Sequence, residues 1–390
     1  MQATNALAAT VALMLATGAA AQPDATLQAR STAAVRSILE RLQASSRFPG
    51  AVAGAWLGEG AEVVVATGLA DRDLQLPMPD SALLHAGSVG KTFFAALILQ
   101  LVGEGRIGLD DKVSTYLGAE PWYGALPNAN AVTVRMLLDH TSGMPELSGA
   151  FMASLIADPG RARTPLEAVR SVSGAQPVSP AGSAFAYTDV NYQLLQLLAE
   201  RVTGRSAYEE IQRRLLDPLG LRRVVAARTK IVPGLVQGYA GEGSFMGFDA
   251  VLHEGALRLD PGFEGGGGGY AANAGDLARW IAYFMEGRAF PASLLPQVRQ
   301  GVPAGQLDVG TDARAGLGIE MAETPLGMAY GHGGFFPGYL SLVLYYPSVR
   351  IAVALQVNSS AGDALSRPLR DVLLETAQAL TTRRRGSPRR

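Results

Sequence analysis

"HAGSVGKTFF", residues 85–94, admits two readings, and each implies a different fold. Gly90-Lys91-Thr92 matches the tail of a phosphate-cradling loop, whose full form is G-x-x-x-x-G-K-[ST]. Ser88-Val89-Gly90-Lys91 has the S-x-x-K spacing of an acylating serine with a lysine partner. The phosphate-loop reading requires glycine at position 85, where His85 stands. It also wants a buried parallel strand upstream, and "PMPDSALLHAG" is short and interrupted by proline. The serine reading fits its surroundings. "KTFFAALILQLVGEGRI" reads as a helix ended near Gly103 and Gly105, so Ser88 and Lys91 lie at a helix start, on one face. A serine hydroxyl is a weak nucleophile until a neighbouring base takes its proton. The N–H of Ser88, unpaired at a helix N-terminus, is free to bind a developing oxyanion.

Composition narrows the field. A chain of 390 residues can hold two or three domains, or one large composite one. Its formal net charge of −1 suggests neither nucleic acid nor an acidic surface as partner. With no cysteine there is no disulfide, thiol catalysis, zinc–thiolate site or lipid-modified N-terminal cysteine. Of 33 lysines and arginines, only Lys91, Lys112 and Lys230 are lysines. Arginine cannot give up its proton in a protein and a buried lysine can, which singles out Lys91 as chemistry rather than charge.

Helical spacing marks a first helix from Asp24 to about Ser46. "GAVAGAWLG" and "AEVVVATGLA", joined at Glu59-Gly60, read as a hairpin. "TVRMLLDHTSGMPE" opens with a short helix, and another runs from near Asp189 to Gly204. Residues 220–265 carry no clear pattern. Gly265–Gly269 reads as a flexible loop ahead of the helical "DLARWIAYFMEG". "GYLSLVLYYP" and "RIAVALQVNSS" are strand-like, followed by a helix from about Asp363 to Thr381. Strands at both chain ends and helices between them imply an α+β fold, with an antiparallel sheet flanked by helices and a mostly helical insertion. The expected domain spans 22–382, with its sheet part at about 30–90 and 300–382 and its helical part at about 91–300. "RRRGSPRR", through Arg390, reads as a disordered basic tail from 383.

S-x-x-K alone is a frequent coincidence, so its partners decide the matter. Ser88-Val89-Gly90-Lys91 is followed in order by Tyr187-Thr188-Asp189 and His332-Gly333-Gly334. "TVRMLLDHTSGMPE", "PAGSAFAYTDVNYQLL", "LLDPLGL" and "GHGGFFPGY" flank them. With these motifs the chain resembles the serine β-lactamase and penicillin-binding superfamily, on the branch of class C β-lactamases, DD-carboxypeptidases, D-aminopeptidases and related esterases. That branch shows S-x-x-K, Y-x-N, then K-T-G or H-x-G, and the resemblance covers about residues 30–360. It implies a β-lactamase/transpeptidase-like fold and an acyl-enzyme on Ser88. Lys91 and Tyr187 would share the proton transfers, and the N–H of Phe335 would be the second oxyanion donor. Gly333 and Gly334 would form a strand edge that substrate approaches closely.

The third position of Y-x-N is here Asp189. It either caps its helix or faces the site, where its charge would hold Lys91 protonated and shift proton transfer to Tyr187. His332 stands where β-lactamases of the branch carry lysine, and a largely neutral histidine clamps a carboxylate less firmly. His140 reads as a structural, loop-holding residue. His85 and His253 fit no ligand spacing, so neither metal nor cofactor is expected. The resemblance favours a DD-carboxypeptidase or D-amino-acid peptidase, with a β-lactamase or small-ester esterase as the alternative. A non-catalytic penicillin-recognising sensor is the alternative of another class. Partners are then a small-molecule or peptide substrate (a D-amino-acid peptide, β-lactam or ester), with no nucleic acid.

Ala6–Ala21 is apolar, too short to span a bilayer comfortably, and ends in Ala19-Ala20-Ala21 before Gln22-Pro23. This is the pattern of a secretory signal on 1–21, giving a periplasmic or secreted protein without a membrane anchor. N-terminal sequencing of native protein is expected to start at Gln22. A chain starting at Met1 in a cytosolic fraction would refute the export reading.

Overall fold

The computed structural model describes residues 25–58 and 61–385, without the side chains of 383–385. The leader expected on 1–21, the turn expected at Glu59-Gly60 and the last residues of the basic tail lie outside the described residues.

Nine antiparallel strands form the main sheet: β1 (Gly50–Trp56), β2 (Glu62–Asp71), β3 (Leu76–Pro77), β4 (Val302–Leu307), β5 (Gly310–Ala315), β6 (Glu320–Thr324), β7 (Gly327–Phe336), β8 (Tyr339–Tyr346) and β9 (Ile351–Val357). Their order is β3-β2-β1-β9-β8-β7-β6-β5-β4. The two ends of the chain therefore meet at the sheet's centre, where Ala51 pairs with Val357 and Trp56 with Ala352. β1 and β9 are continuous apolar runs because both of their faces are covered.

One face is covered by helix α1 (Ala25–Ser45) through Val35, Ile38, Leu39 and Leu42. Helix α6 (Leu369–Arg385) packs beside it with Val372, Leu373, Ala377 and Leu380. The expected start of that helix at Asp363 moves to Leu369, because the residue before Pro368 is driven out of the helical region. Its C-terminal turn carries the first arginines of the basic tail as far as Arg385.

The helical part covers the other face. Helix α5 (Ala274–Met285) approaches β1 so closely that a Cβ on Gly54 would overlap the Ala274 carbonyl. Helix α2 (Lys91–Gly103) is apolar on every side and runs through the middle of the core, as such a helix must. Helix α3 (Val134–Leu138) is capped by Thr133, whose side chain accepts from the Met136 N–H. Helix α4 (Asp189–Thr203) closes on Gly204 in the left-handed conformation. A small sheet absent from the sequence reading pairs Leu84–His85 and Val224–Ala226 with Tyr270–Ala272. It ties the segment before Ser88 to the one after the glycine run. That run is no flexible loop: Gly265–Gly267 forms a buried 3-10 turn.

Asn358, fully buried after β9, fastens three segments. Its Oδ1 accepts from the Gly50 N–H at 2.7 Å, and its Nδ2 donates to the Leu69 and Gln237 carbonyls at 3.0 Å each. Asn358→Ala strands these buried groups at a cost of about 1–3 kcal/mol each. The denaturation midpoint is expected to fall with the slope unchanged. A midpoint shift worth under about 1 kcal/mol would show that other groups or water replace the asparagine.

Candidate active site

Ser88 lies in a 3-10 turn, Gly87–Gly90, that runs directly into α2. Lys91, the first residue of α2, is fully buried. Its Nζ donates to Ser88 Oγ at 2.8 Å, to Asp189 Oδ1 at 2.5 Å and to the Gly267 carbonyl at 2.5 Å. All three ammonium hydrogens thus have an acceptor, each from a different segment of the chain.

The second motif contributes at the start of α4. The helix cap is Thr188, whose Oγ1 accepts from the Val190 N–H at 3.1 Å. Asp189 is thereby released from capping and faces the site. Tyr187 presents its ring to the Lys91 ammonium, 4.9 Å from the centroid. Its hydroxyl lies close enough to Lys91 and Ser88 for both to favour its ionised form. His140 stacks on the Tyr187 ring at 4.4 Å, and its Nδ1 accepts from the Thr188 N–H at 3.3 Å. His140 therefore orients the second motif and keeps the structural role read from the sequence.

The third motif lies inside β7, not ahead of a strand. β6 pairs with β7 only as far as Gly331, so residues 332–336 have an open edge toward Ser88. A side chain on Gly334 would strike the Ala86 carbonyl, and a Cβ on Gly87 would meet the Phe335 N. The backbone of Phe335 therefore lies against the turn that carries Ser88. The Phe335 ring is half exposed at the mouth of the site. His332 is buried, and its Nδ1 donates to the Gly333 carbonyl at 2.7 Å, since a carbonyl can only accept. All eight residues singled out in the sequence thus gather around one point.

Sequence reasoning missed the carboxylates nearby. Glu146 Oε2 accepts from the Asp189 N–H at 3.0 Å. Glu264, just ahead of the glycine ribbon, accepts from the Gly269 N–H at 3.2 Å. Glu320 Oε1 is 3.9 Å from His332 Nε2. Glu146 lies in a quoted signature, but no spacing marks the other two. Among the described residues, no group of three or more histidines and carboxylates could hold a metal.

Two cavities flank Ser88. One of about 360 Å³ is polar, lined by Tyr187, Asp308, Glu320, His332 and Arg370. The other, of about 350 Å³, has apolar walls that include Leu147, Met152, Leu155, Leu259 and Phe263.

Burial alone would drive Lys91 toward its neutral form, but Asp189 and then Tyr187 outweigh it and hold the lysine above its ordinary range. Burial lifts the Tyr187 phenol too, against the opposing pull of Lys91. The resting site therefore holds an ammonium and a phenol, both protonated. His332 is pushed down to about 3, by burial and then by Lys91, and is neutral. Burial, then Asp189, lifts Glu264 to about 8.

The Beta-lactamase family model matches residues 35–378. Penicillin-binding protein 4* of Bacillus subtilis (strain 168) is 24% identical over 330 residues, covering 80% of this chain and 68% of the relative. D-aminopeptidase of Gluconobacter oxydans (strain 621H) is 27% identical over 318 residues, covering 80% of this chain but only 57% of that protein. Among solved structures, a D-stereospecific amidohydrolase from Streptomyces sp. superposes with a TM-score of 0.74 at 26% identity, covering 89% of this chain and 98% of the other. D-amino acid amidase from Ochrobactrum anthropi SV3 shares the fold, with a TM-score of 0.75 at 21% identity, 90% of this chain and 99% of the other.

The Asp189 charge raises both Lys91 and Tyr187, so Asp189→Asn lowers both. Both groups serve the reaction protonated, so reactivity is then lost at a lower pH. The falling limb of fluorophosphonate labelling of Ser88 against pH is expected to move about one to three units toward acid. An unmoved limb would mean that neither group's proton governs the serine.

Proposed function

The chain belongs to the Beta-lactamase family, and from that premise we propose that it is a serine hydrolase of D-amino-acid amides or peptides working through an acyl-enzyme on Ser88. The observation that carries the reading is the Ser88–Lys91–Tyr187 constellation, with Lys91 Nζ 2.8 Å from Ser88 Oγ. In this mechanism the substrate carbonyl oxygen sits between the N–H groups of Ser88 and Phe335. Such preorganised donors are worth about 10²–10³-fold each. Ser88 Oγ attacks the carbonyl carbon and passes its proton to the Tyr187 oxygen, while the Tyr187 proton goes to the leaving nitrogen as the C–N bond breaks. No free base is needed, which suits a site that rests with Lys91 and Tyr187 both protonated. Lys91 remains an ammonium and offsets the negative charge that builds on Ser88 and the carbonyl oxygen. Water then repeats the sequence in reverse to release the acid.

Two observations support D-amino-acid substrates over β-lactams. The third motif supplies a neutral His332 where a β-lactam carboxylate would favour a permanent cation. The similarity to a D-aminopeptidase and to a D-stereospecific amidohydrolase points the same way.

Ser88→Ala is expected to abolish turnover and covalent labelling, and Tyr187→Phe to slow acylation by about two orders of magnitude or more. In a comparison of kcat/KM, a D-alanyl amide and a D-Ala-D-Ala peptide should each exceed nitrocefin, with p-nitrophenyl acetate as the ester reference. Nitrocefin turnover well above the other three would make the protein a β-lactamase instead.

A further inference from the structure

Glu320 has no place in the chemistry above, yet it lines the polar cavity beside Ser88. It opens β6 opposite Gly331, where the edge of β7 becomes free, and it is only 6% exposed. The Gly333 N–H lies near its carboxyl group and favours the charged form. Its Oε2 is buried with no hydrogen-bond partner among the described residues. The His332 ring meets it with an acceptor. Because Nδ1 donates to the Gly333 carbonyl, the neutral ring carries a lone pair on Nε2, 3.9 Å from Glu320 Oε1. That gap is too long for a direct hydrogen bond. Once Glu320 gives up its proton, two acceptors face each other with no donor between them.

The neighbouring charges leave this arrangement uncompensated. Lys91 is engaged by Asp189. Arg370 also lines the cavity, where it acts on Asp308 and stands 3.7 Å from Asp371. Asp308, beside Gly333, adds negative charge. A substrate carboxylate at Glu320 would meet the Nε2 lone pair and the Asp308 carboxylate with no free cation to offset them, and among the described residues a metal ion would find too few ligands. A primary ammonium can donate to both acceptors at once.

We infer that Glu320, with His332 Nε2, is the receptor for an ammonium group carried by the substrate. The inference rests on the proposed hydrolase reading only in taking the ligand to be a substrate held at Ser88. Burial, then Asp308, lifts Glu320 to about 8 in the empty site. The groups facing it are Asp308, His332, Lys91, Tyr187 and Arg370, and none is a free cation at hydrogen-bond range. At neutral pH the empty site therefore holds a largely protonated Glu320. An arriving ammonium lowers its pKa, so binding should release a proton.

The ammonium could be the α-amino group of the acyl residue or an amine on the leaving group, and two ligand pairs separate these sources. Calorimetric titration of Ser88→Ala protein at about pH 6.5, where an α-amine is charged, avoids turnover. The acyl-side pair is D-phenylalanine amide against N-acetyl-D-phenylalanine amide. The leaving-side pair is N-acetyl-D-phenylalanine 2-aminoethylamide against its n-propylamide. One charged ligand is expected to bind about tenfold or more tighter than its neutral partner, as a charge-assisted hydrogen bond allows. Binding of that ligand should release protons, seen as a buffer-dependent heat that the neutral partner lacks. Adding Glu320→Gln should bring the ratio to about one, while Glu320→Asp should retain part of it. Equal affinities within both pairs, or a preference that survives Glu320→Gln, would overturn the assignment. If the glutamine variant does not fold, absence of proton release in the Ser88→Ala protein overturns it equally. Failure of wild-type protein to hydrolyse any of the four compounds would refute the hydrolase reading and leave the titration to decide this one.

Discussion

A fully buried lysine must give each of its ammonium hydrogens to an acceptor, because an unpaired charge in the interior costs several kcal/mol. Lys91 meets that requirement with Ser88 from its own turn, Asp189 from the start of α4 and the carbonyl of Gly267 from the glycine ribbon. The acceptors lie 3, 98 and 176 residues away in sequence. The helical part can close around α2 only if those segments arrive together. The features around the lysine follow from this. Thr188 takes over the capping of α4, so that Asp189 can turn inward. The ribbon packs so closely that a Cβ on Gly90 would overlap the Gly268 carbonyl.

The same constraint sets the electrostatics of the site. Asp189 keeps a proton on Lys91, and burial, reinforced by Asp189, keeps one on Tyr187, so the constellation rests fully protonated and reaction depends on shuttling a proton. Its negative charge also lifts Glu264. On the opposite side the third motif brings a neutral imidazole, and β6 sets a buried acid beside it, in place of a permanent cation. One wall of the cleft is thus poor in positive charge, and the other is apolar.

Much of the architecture was legible from pattern alone. The apolar run of α2, the hairpin of β1 and β2, and the strands β8 and β9 each carry a local signal that matches their final environment. Between Val302 and Phe336 sheet was expected, with a strand edge at Gly333 and Gly334, but the strands themselves were not delimited. β4 and β5 are polar and half exposed, and the glycines of β7 weaken any strand signal. The glycine run was misread for a related reason. Five glycines look flexible in isolation, and only close packing against α4, Glu264 and Tyr208 shows why no side chain fits there.

By itself the sequence determined which residues form the constellation, because S-x-x-K, Y-x-D and H-G-G are short patterns whose order survives without coordinates. It also determined that a sheet would be built from both chain ends, since burial on two faces demands continuous apolar strands. The tertiary structure alone decided that Asp189 faces Lys91 and does not cap its helix, and that Glu264 and Glu320 stand beside the site. Burial and charge pairing depend on what distant segments bring within a few ångströms. A local pattern records the identity of a carboxylate but not the company it keeps.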